Sequence, residues 1–294
     1  MRLALGCRSY DLDQRALVMG ILNRTTDSFY DRGRFFDLDA CCRRADQLVA
    51  DGADLLDVGG VKAGPGPEVG EEEELERVVP AVEALHARFD VPLSCDTWRA
   101  TVARAAFAAG AVMGNDISGF ADPDYLSAAA EAGASVVATH IRLGPRIPDP
   151  EPHYDDVVVE VARFLAERAA RAEAAGVEPG RIVVDAGLDL GKSPVQSLCL
   201  LRESATLAAL GYPLLLSASH KPFLGALFDV EVGDRHQATI AAHALGVTRG
   251  CRILRAHDAR AARRVADVLA AVLAAGPGPA EDHGSDDQGE AGAR

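Results

Sequence analysis

The chain has 294 residues, of which 48% are hydrophobic and 25% are charged, a balance typical of a globular protein with a sizeable core. The formal net charge is -14 at pH 7 and no basic stripe is visible, which argues against a nucleic-acid-binding protein. An acidic body is still compatible with a local cationic pocket that binds an anionic small molecule.

The cysteines and the longest apolar runs predict the compartment. No Cys-x-x-Cys pair occurs and no cysteine stands at metal-ligand spacing from a histidine, so we expect reduced thiols in a cytoplasmic protein. The apolar stretch at the start is too short for a signal peptide, and no apolar run reaches membrane-spanning length. We therefore expect no membrane partner.

Eight short apolar runs recur along the chain, each too short for a helix and most of them rich in Val, Leu or Ile. They lie at 16–22, 54–58, 91–95, 111–115, 135–139, 181–185, 213–218 and 251–255. Each run is followed by a segment with helical spacing, at 39–53, 71–89, 98–111, 125–134, 156–177, 194–212, 235–250 and 259–275. Glycine stops in "AAGA", "EAGA" and "AAGV" mark the ends of three of these predicted helices.

Strict alternation of eight strands with eight helices predicts an α/β fold, specifically a (β/α)8 TIM barrel. A doubly wound open sheet is the alternative. The count of eight, and the absence of a Gly-x-Gly-x-x-Gly turn after the first strand, favour the barrel. We expect one domain over residues 1–275, followed by a disordered acidic tail rich in Gly and Pro over 276–294.

Polar residues follow nearly every predicted strand, where the active site of such a barrel gathers. They are Asn23, Asp57 with Gly59 and Gly60, Asp96, Asn115, His140, Asp185, Lys221, and Arg255 with His257. Singly, each has an ordinary explanation as a turn, cap or hydrogen-bonding residue. Their recurrence predicts two subsites, one that reads a polar heterocycle and one that holds a phosphate or pyrophosphate.

Seven stretches together resemble dihydropteroate synthase. In order they are "MGILNRTTDSFYDRGRF", "LDVGG", "SCDTWRATVARAAFAAGA", "NDISG", "DAGLDLGKSP", "SASHKPFLG" and "ILRAHD". The resemblance runs from about residue 16 to about residue 275. It implies a (β/α)8 barrel that joins a dihydropterin-methyl pyrophosphate to p-aminobenzoate in folate synthesis and releases pyrophosphate.

The resemblance also implies roles for the strand-end residues. Asp185 would accept hydrogen bonds from the pterin, Asp96 would contact its other side and offset developing positive charge, and Asn115 would complete the contacts. Lys221 would donate to the pterin carbonyl and bound the p-aminobenzoate side. Asp96, Lys221 and Asp185 would thus be the catalytic residues, acting by position and electrostatics without a protein nucleophile.

The implied anion subsite and acceptor subsite complete the site. Asn23, Arg255 and His257 would hold the pyrophosphate, and Asn23 would also touch a Mg²⁺ ion. Ala63, Leu190, Ser219 and His220 would lie on the p-aminobenzoate side. A homodimer that forms through the C-terminal barrel helices is also expected from the resemblance.

Two loops depart from the family pattern. The first reads "NRTTDSF" where the family has N-V-T-P-D-S-F, with Arg24 and Thr26 replacing Val and Pro. The second reads "GGVKAGPG" where the family has G-G-E-S-T-R-P-G, so that the threonine hydroxyl becomes Ala63 and the arginine becomes Gly64. These loops normally close over the acceptor, and the second also resembles that of a divergent branch of paralogues.

Three hypotheses remain open from the sequence. The first is a working dihydropteroate synthase. The second is a divergent paralogue that binds a pterin diphosphate with weak or no synthase activity, or with another acceptor. The third is a pterin-binding barrel that moves a methyl group from a folate, which "ILRAHD" and "SHK" fit less well.

Overall fold

The computed structural model describes residues 1–25, 36–226 and 229–275. Within them, eight parallel strands close a barrel, and its order β10-β3-β4-β5-β6-β7-β8-β9 follows the chain. The barrel strands are β3 (Leu17–Asn23), β4 (Leu55–Gly59), β5 (Leu93–Asp96), β6 (Met113–Asp116), β7 (Ser135–Thr139), β8 (Ile182–Asp185), β9 (Leu214–Leu216) and β10 (Cys251–Ala256). The predicted (β/α)8 barrel is confirmed, and each strand lies on one of the eight apolar runs.

Helices pack around the strands as the alternation predicts. They are α1 (Leu38–Ala50), α2 (Glu71–Arg88), α3 (Ala100–Ala108), α4 (Tyr125–Glu131), α5 (Val157–Ala174), α6 (Pro194–Arg202), α7 (Ser204–Ala208), α8 (Pro222–Ala226), α9 (His236–Thr248) and α10 (Ala259–Ala274). Local chemistry sets several of their ends. Asp156 and Asp258 accept hydrogen bonds from the first backbone amides of α5 and α10, while Gly110 and Gly176 follow α3 and α5 with positive φ.

An N-terminal hairpin closes the bottom of the barrel. Its strands, β1 (Arg2–Leu5) and β2 (Arg8–Asp11), pair antiparallel. Leu3 and Leu5 are buried against the inner layer of the barrel, which is formed by one or two apolar residues from each of seven barrel strands: Leu17, Met19, Leu55, Met113, Val137, Val183, Leu215 and Ile253. The opposite end of the barrel is thereby left as the open, polar end.

Besides the hairpin, which was not predicted, two features differ from the sequence prediction. The single helix expected over 194–212 breaks at Glu203 into α6 and α7, where Ser204 Oγ donates to the carbonyls of Leu200 and Leu201. The short helix α8 was not predicted. The predicted acidic tail at 276–294 lies outside the described residues. Among the described residues, no helix combines the length and apolarity needed to cross a bilayer.

Candidate active site

A cavity of about 400 Å³ opens at the carboxyl ends of the barrel strands. Eight of the eleven predicted site residues line it: Asn23, Ala63, Asp96, Leu190, Ser219, Lys221, Arg255 and His257. The other three, Asn115, Asp185 and His220, are buried and do not line the cavity. The structure therefore gathers residues from strands far apart in sequence at one end of the barrel, as the strand-end pattern predicts.

Arg255 bridges two carboxylates on the floor of the site. Its Nε donates to Asp57 Oδ2 at 2.6 Å, and its Nη2 donates to Asp96 Oδ2 at 2.7 Å. Asn115 Nδ2 donates to the same Asp57 oxygen at 3.0 Å. Asp57 is fully buried, and its other oxygen, Oδ1, has no hydrogen-bond partner among the described residues. The pyrophosphate role predicted for Arg255 remains a prediction, because its guanidinium is engaged by the two carboxylates.

The charge of this cluster depends on Asp96. Burial raises the pKa of the Asp96 carboxyl to about 7, with Arg255 opposing the shift and Asp57 adding to it. When both carboxylates are ionised, two negative charges face one positive charge, and the cluster is net negative. A net negative site next to the cavity stabilises positive charge that develops on a bound ligand.

Asp185 and Lys221 are two further charged residues of the site, and each is held by a backbone group of the loop after β8. Asp185 Oδ1 accepts from the backbone N–H of Gly187 at 2.8 Å, and burial raises the pKa of its carboxyl while Lys221 opposes the shift. Lys221 Nζ donates to the carbonyl of Leu188 at 2.7 Å, and burial lowers the pKa of its ammonium. Lys221 lines the cavity, and its ammonium group is held in place by the loop after β8.

His257 and Ser219 lie together on the wall of the cavity. Ser219 Oγ accepts from the backbone N–H of His257 at 3.1 Å and lies 2.9 Å from its Nδ1. The hydroxyl proton of Ser219 is then directed at Nδ1, and we assign the ring proton of the neutral imidazole to Nε2. Burial lowers the pKa of His257 well below its usual range, so the ring is neutral at pH 7.

His220 lies behind this pair and outside the cavity. Its ring meets that of His257 edge-on, with centroids 5.8 Å apart. Its backbone has a φ of +54°, a conformation held by a hydrogen bond from its N–H to Thr239 Oγ1 at 3.0 Å. The predicted contact of His220 with an acceptor remains a prediction, because His220 does not line the cavity.

His140, another of the strand-end residues, is engaged by contacts within the protein. Lys192 Nζ lies 2.8 Å from His140 Nδ1 and donates to the carbonyls of Gly187 and Leu190, both at 2.9 Å. Burial lowers the pKa of His140 to about 3 and that of Lys192 to about 7. The two side chains tie together the loops after β7 and β8, and neither lines the cavity.

The second loop, residues 60–70 between β4 and α2, is attached to the loop after β7 through Arg146. The Arg146 guanidinium donates to the carbonyls of Lys62, at 3.0 Å, and Pro67, and its backbone N–H donates to the carbonyl of Ala63 at 3.1 Å. Three backbone carbonyls of the second loop are thus held by one residue. Val61, Lys62, Ala63 and Gly64 line the cavity in this fixed arrangement.

Arg24, the departure in the first loop, turns away from the cavity. It is buried and donates to the carbonyl of Arg77 at 2.5 Å and to that of Phe36 at 2.9 and 3.1 Å. Arg77 in turn donates to the carbonyl of Gly60 at 2.8 Å. Arg24 therefore links both loops to α2. The second departure, Thr26, lies outside the described residues.

The strand-end pattern missed three charged residues of the cavity wall, one of which, Lys62, lies in the second loop. Asp189 lies inside the "DAGLDLGK" stretch but four residues beyond the strand end, and Arg235 stands at the start of α9. Arg235 donates to the carbonyls of Val230 and His220, at 3.2 and 3.1 Å. Gly225 is the residue in the sequence that allows Arg235 to approach so closely, because a Cβ there would lie 2.3 Å from Arg235 Nε.

The comparisons with known proteins agree with this geometry. The profile of the family described as "Pterin binding enzyme" matches residues 19–257. A Mycobacterium leprae (strain TN) protein named "Inactive dihydropteroate synthase 2" is 42% identical over 271 residues, which cover 90% of this chain and 92% of that protein. "Dihydropteroate synthase" of Bacillus subtilis (strain 168) is 38% identical over 262 residues, which cover 88% and 90%.

A solved structure of Xanthomonas albilineans dihydropteroate synthase with 4-aminobenzoic acid superposes with a TM-score of 0.86. It is 42% identical, and the match covers 94% of this chain and 99% of that one. The resemblance read from the seven sequence stretches is therefore confirmed at the level of both sequence and fold. From the family match across the barrel and the strand-end residues gathered at its open end, the chain belongs to the family of pterin binding enzymes.

Proposed function

We propose that this chain is a transferase of the dihydropteroate synthase type. It joins a dihydropterin-methyl pyrophosphate to p-aminobenzoate in folate biosynthesis and releases pyrophosphate. The observation that carries the proposal is a polar set at the open end of the barrel, in which Asp96 and Lys221 line the cavity and Asn115 and Asp185 are buried at the ends of neighbouring strands. Carboxylates, a carboxamide and an ammonium suit the donors and acceptors of a pterin, and burying them would otherwise be costly.

Recognition of the heterocycle is assigned to two sides of the site. Asp185 accepts from the amino and ring N–H groups of the pterin, a planar donor pair that matches a carboxylate. Lys221 donates to the pterin carbonyl, and Asn115 and Asp96 face the remaining ring edge. Asp57 orients Arg255 and Asn115 through the hydrogen bonds at 2.6 and 3.0 Å.

Catalysis at this site depends on electrostatic stabilisation of charge that develops on the pterin. The C–O bond between the pterin methylene and the pyrophosphate breaks, and both electrons leave with the pyrophosphate. The cationic methylene is stabilised by the net negative cluster of Asp57, Asp96 and Arg255. The lone pair of the aniline nitrogen then forms the C–N bond, and the nitrogen loses its proton to pyrophosphate or solvent.

The transfer needs no protein nucleophile. Cys95, the cysteine next to Asp96, is fully buried in the core cluster between strands and helices, and burial raises the pKa of its thiol well above the usual range. Its side chain points to the face opposite Asp96, as strand alternation predicts.

The leaving pyrophosphate is assigned to Asn23 and His257, with Arg255 contributing positive charge, and Ser219 orients the His257 ring. The neutral His257 donates from Nε2, and Asn23 lies at the end of β3 on the cavity wall. Such an arrangement of short polar donors beside a guanidinium suits a multiply charged anion.

Mg²⁺ fits this site only together with the pyrophosphate. Among the described residues, no group of three or more His, Cys, Asp or Glu side chains is placed to hold a metal ion. A single carboxamide oxygen from Asn23, with pyrophosphate oxygens and water, is the kind of ligand set that Mg²⁺ accepts. When bound, the ion neutralises charge on the leaving group.

The assembly and compartment are part of the same proposal. Val268, Val272 and Leu273 on α10 are 58 to 61% exposed, and such an apolar face on a C-terminal barrel helix supports a homodimer. All six cysteines are free, which supports the cytoplasm. Sedimentation of the wild-type chain and of Val272→Asp tests the dimer, since a charge on this face should give a monomer.

A second candidate function is a paralogue that binds the pterin diphosphate without efficient transfer to p-aminobenzoate. The observation that favours it is the second loop, where Ala63 and Gly64 stand on the cavity wall in place of a hydroxyl and a guanidinium. A relative named as an inactive synthase agrees with this alternative. The methyl-transfer barrel has no comparable observation in its favour.

Two measurements separate these functions. Calorimetry with the dihydropterin pyrophosphate tests the pocket, and Asp185→Asn should weaken binding roughly 10-fold to 100-fold, because a charge-assisted hydrogen bond contributes about 1.5–3 kcal/mol. Asp46→Asn, which changes an exposed carboxylate paired with Arg88, is the matched control. Absence of binding to the wild-type chain would reject both candidates.

Pyrophosphate release then tests turnover. Release that depends on p-aminobenzoate supports the synthase, and binding without release supports the paralogue. Ala63→Thr with Gly64→Arg returns the family's side chains to the loop, and we expect this double variant to release pyrophosphate faster than the wild-type chain. An unchanged rate would show that the loop is not the main cause of low activity.

A further inference from the structure

A second depression lies beside the reaction cavity, on the other side of the second loop. This outer groove has a volume of about 300 Å³ and is formed by three segments: residues 63–65 of the second loop, 141–150 after β7, and 189–192 after β8. Ala63, Gly64, Asp189 and Leu190 line both the cavity and the groove. The two spaces are therefore neighbours across one thin wall.

On the side of the second loop, the shared wall carries only small side chains. A Cβ at Gly64 would have only Lys62 Cε within 4 Å, at an ordinary 3.7 Å, so the position has room for a side chain that the chain does not supply. Ala63 contributes a single methyl group. Arg146 holds this part of the loop by its backbone, so the small residues are kept in place on the wall.

The charged residues of the outer groove are engaged within the protein. Arg146 binds the second loop, Asp149 pairs with Arg142 at 2.6 Å, and Lys192 is held by His140 and two carbonyls. Asp189 Oδ2 accepts from the backbone N–H of Phe223 at 3.3 Å.

The surfaces left for a ligand are apolar. Leu143 and Ile147 are 50% and 56% exposed beside the groove, and Pro65 and Pro148 complete its walls. Large apolar side chains this exposed around a concave surface indicate a ligand-contacting surface.

We propose that the preferred acceptor of this chain is an arylamine longer than p-aminobenzoate, whose ring-borne, uncharged apolar substituent passes Ala63 and Gly64 and lies in the outer groove. The inference rests on the proposed transferase function and names the acceptor class of the same site. The amine remains in the reaction cavity, forms the C–N bond with the pterin methylene after pyrophosphate has left, and loses its proton to pyrophosphate or solvent as described above.

A series of 4-alkylanilines, from methyl to butyl, tests the groove against p-aminobenzoate. Binding is measured by calorimetry on the free chain and on the chain saturated with the dihydropterin pyrophosphate. The dissociation constant should fall roughly fourfold for each added methylene, the change expected for moving a CH₂ group out of water at about 0.8 kcal/mol. A dissociation constant independent of chain length, or p-aminobenzoate binding more tightly than the whole series, would overturn the proposal.

Two matched variants locate the effect. Leu143→Asp places a charge in the groove, and Val159→Asp places one on an equally exposed apolar residue of α5 that does not line it. The dependence on chain length should disappear in the first variant and persist in the second. Persistence in both, or loss in both, contradicts the assignment of the substituent to the groove.

The wall itself gives a third test. Ala63→Thr with Gly64→Arg should weaken binding of the butyl compound at least tenfold while binding of p-aminobenzoate tightens. This outcome is separable from failure of the transferase proposal, because a chain that does not bind the dihydropterin pyrophosphate still reports on the groove through the alkylanilines alone. Equal effects on both acceptors would refute the wall as the selective element.

Discussion

Asp57 offers the most direct test of how the candidate site is held together. It is fully buried, and one of its oxygens accepts both from Arg255 at 2.6 Å and from Asn115 at 3.0 Å. Removing one partner of a buried ion pair costs about 3–5 kcal/mol. Arg255 keeps Asp96 as a partner and is 15% exposed, so we expect Asp57→Ala to lower the free energy of unfolding by about 3 kcal/mol, the lower end of that range.

Urea unfolding followed by circular dichroism measures this change, with an unaltered m-value as the sign that only stability has moved. Asp46→Ala breaks an ion pair of the same type between Asp46 and Arg88, both about half exposed, and should cost about 1 kcal/mol or less. Domains are commonly stable by about 5–15 kcal/mol, so Asp57→Ala should remain folded and measurable. Equal costs for the two variants would mean that Asp57 does not anchor Arg255.

Three further predictions follow from contacts around the site. Burial raises the pKa of Asp96 to about 7, so the unfolded chain releases this proton at lower pH than the folded one, and the free energy of unfolding falls as pH rises between about 4 and 7. Relative to Asp96→Asn, which lacks this titration, the wild-type chain should lose a few kcal/mol over that window in urea unfolding, and parallel curves would contradict the assignment. Gly187 has a φ of +63° and a Cβ there would lie 1.9 Å from the carbonyl oxygen of His140, so Gly187→Ala should lower the melting temperature sharply, whereas Gly180→Ala, with open space around it, should leave it within a few degrees. Arg146→Ala should speed amide hydrogen exchange over residues 61–69 with little change in melting temperature, and unchanged exchange would show that the loop is held by other contacts.

The barrel strands could be predicted because buried parallel strands are apolar on both faces and are punctuated by helices. The hairpin could not, because β2 reads RSYD, is mostly exposed and so gives no apolar run. The break at Glu203 was also hidden, since neither Gly nor Pro marks it. Elements whose apolar pattern extends over their whole length can therefore be predicted from the sequence, whereas a break that depends on one or two residues cannot.

The residues of the site also divide into those that the local sequence predicts and those that it does not. Strand-end position is a property of the local sequence, so Asp57, Asp96, Asn115 and Asp185 could be found before the fold was known. The bridge from Arg255 to two carboxylates, and the attachment of the second loop by Arg146, depend on distances between remote segments. Arg146 in particular bonds to backbone carbonyls, and such contacts leave no trace in the identity of the partner residues.

The Arg255 bridge also has a consequence for the order of folding. Arg255 is separated from Asp57 by 198 positions and from Asp96 by 159, and it lies on β10, the strand that closes the barrel against β3. Contacts of such long range form late, because the chain must first lose the entropy of closing a large loop. Until β10 docks, the two carboxylates lack their shared counter-charge, so a chain that ends before residue 251 should retain a repulsive, hydrated pair in place of a binding site. Closure of the barrel and completion of the site are thus one kinetic event, and recovery of ligand binding during refolding should coincide with the slowest folding phase.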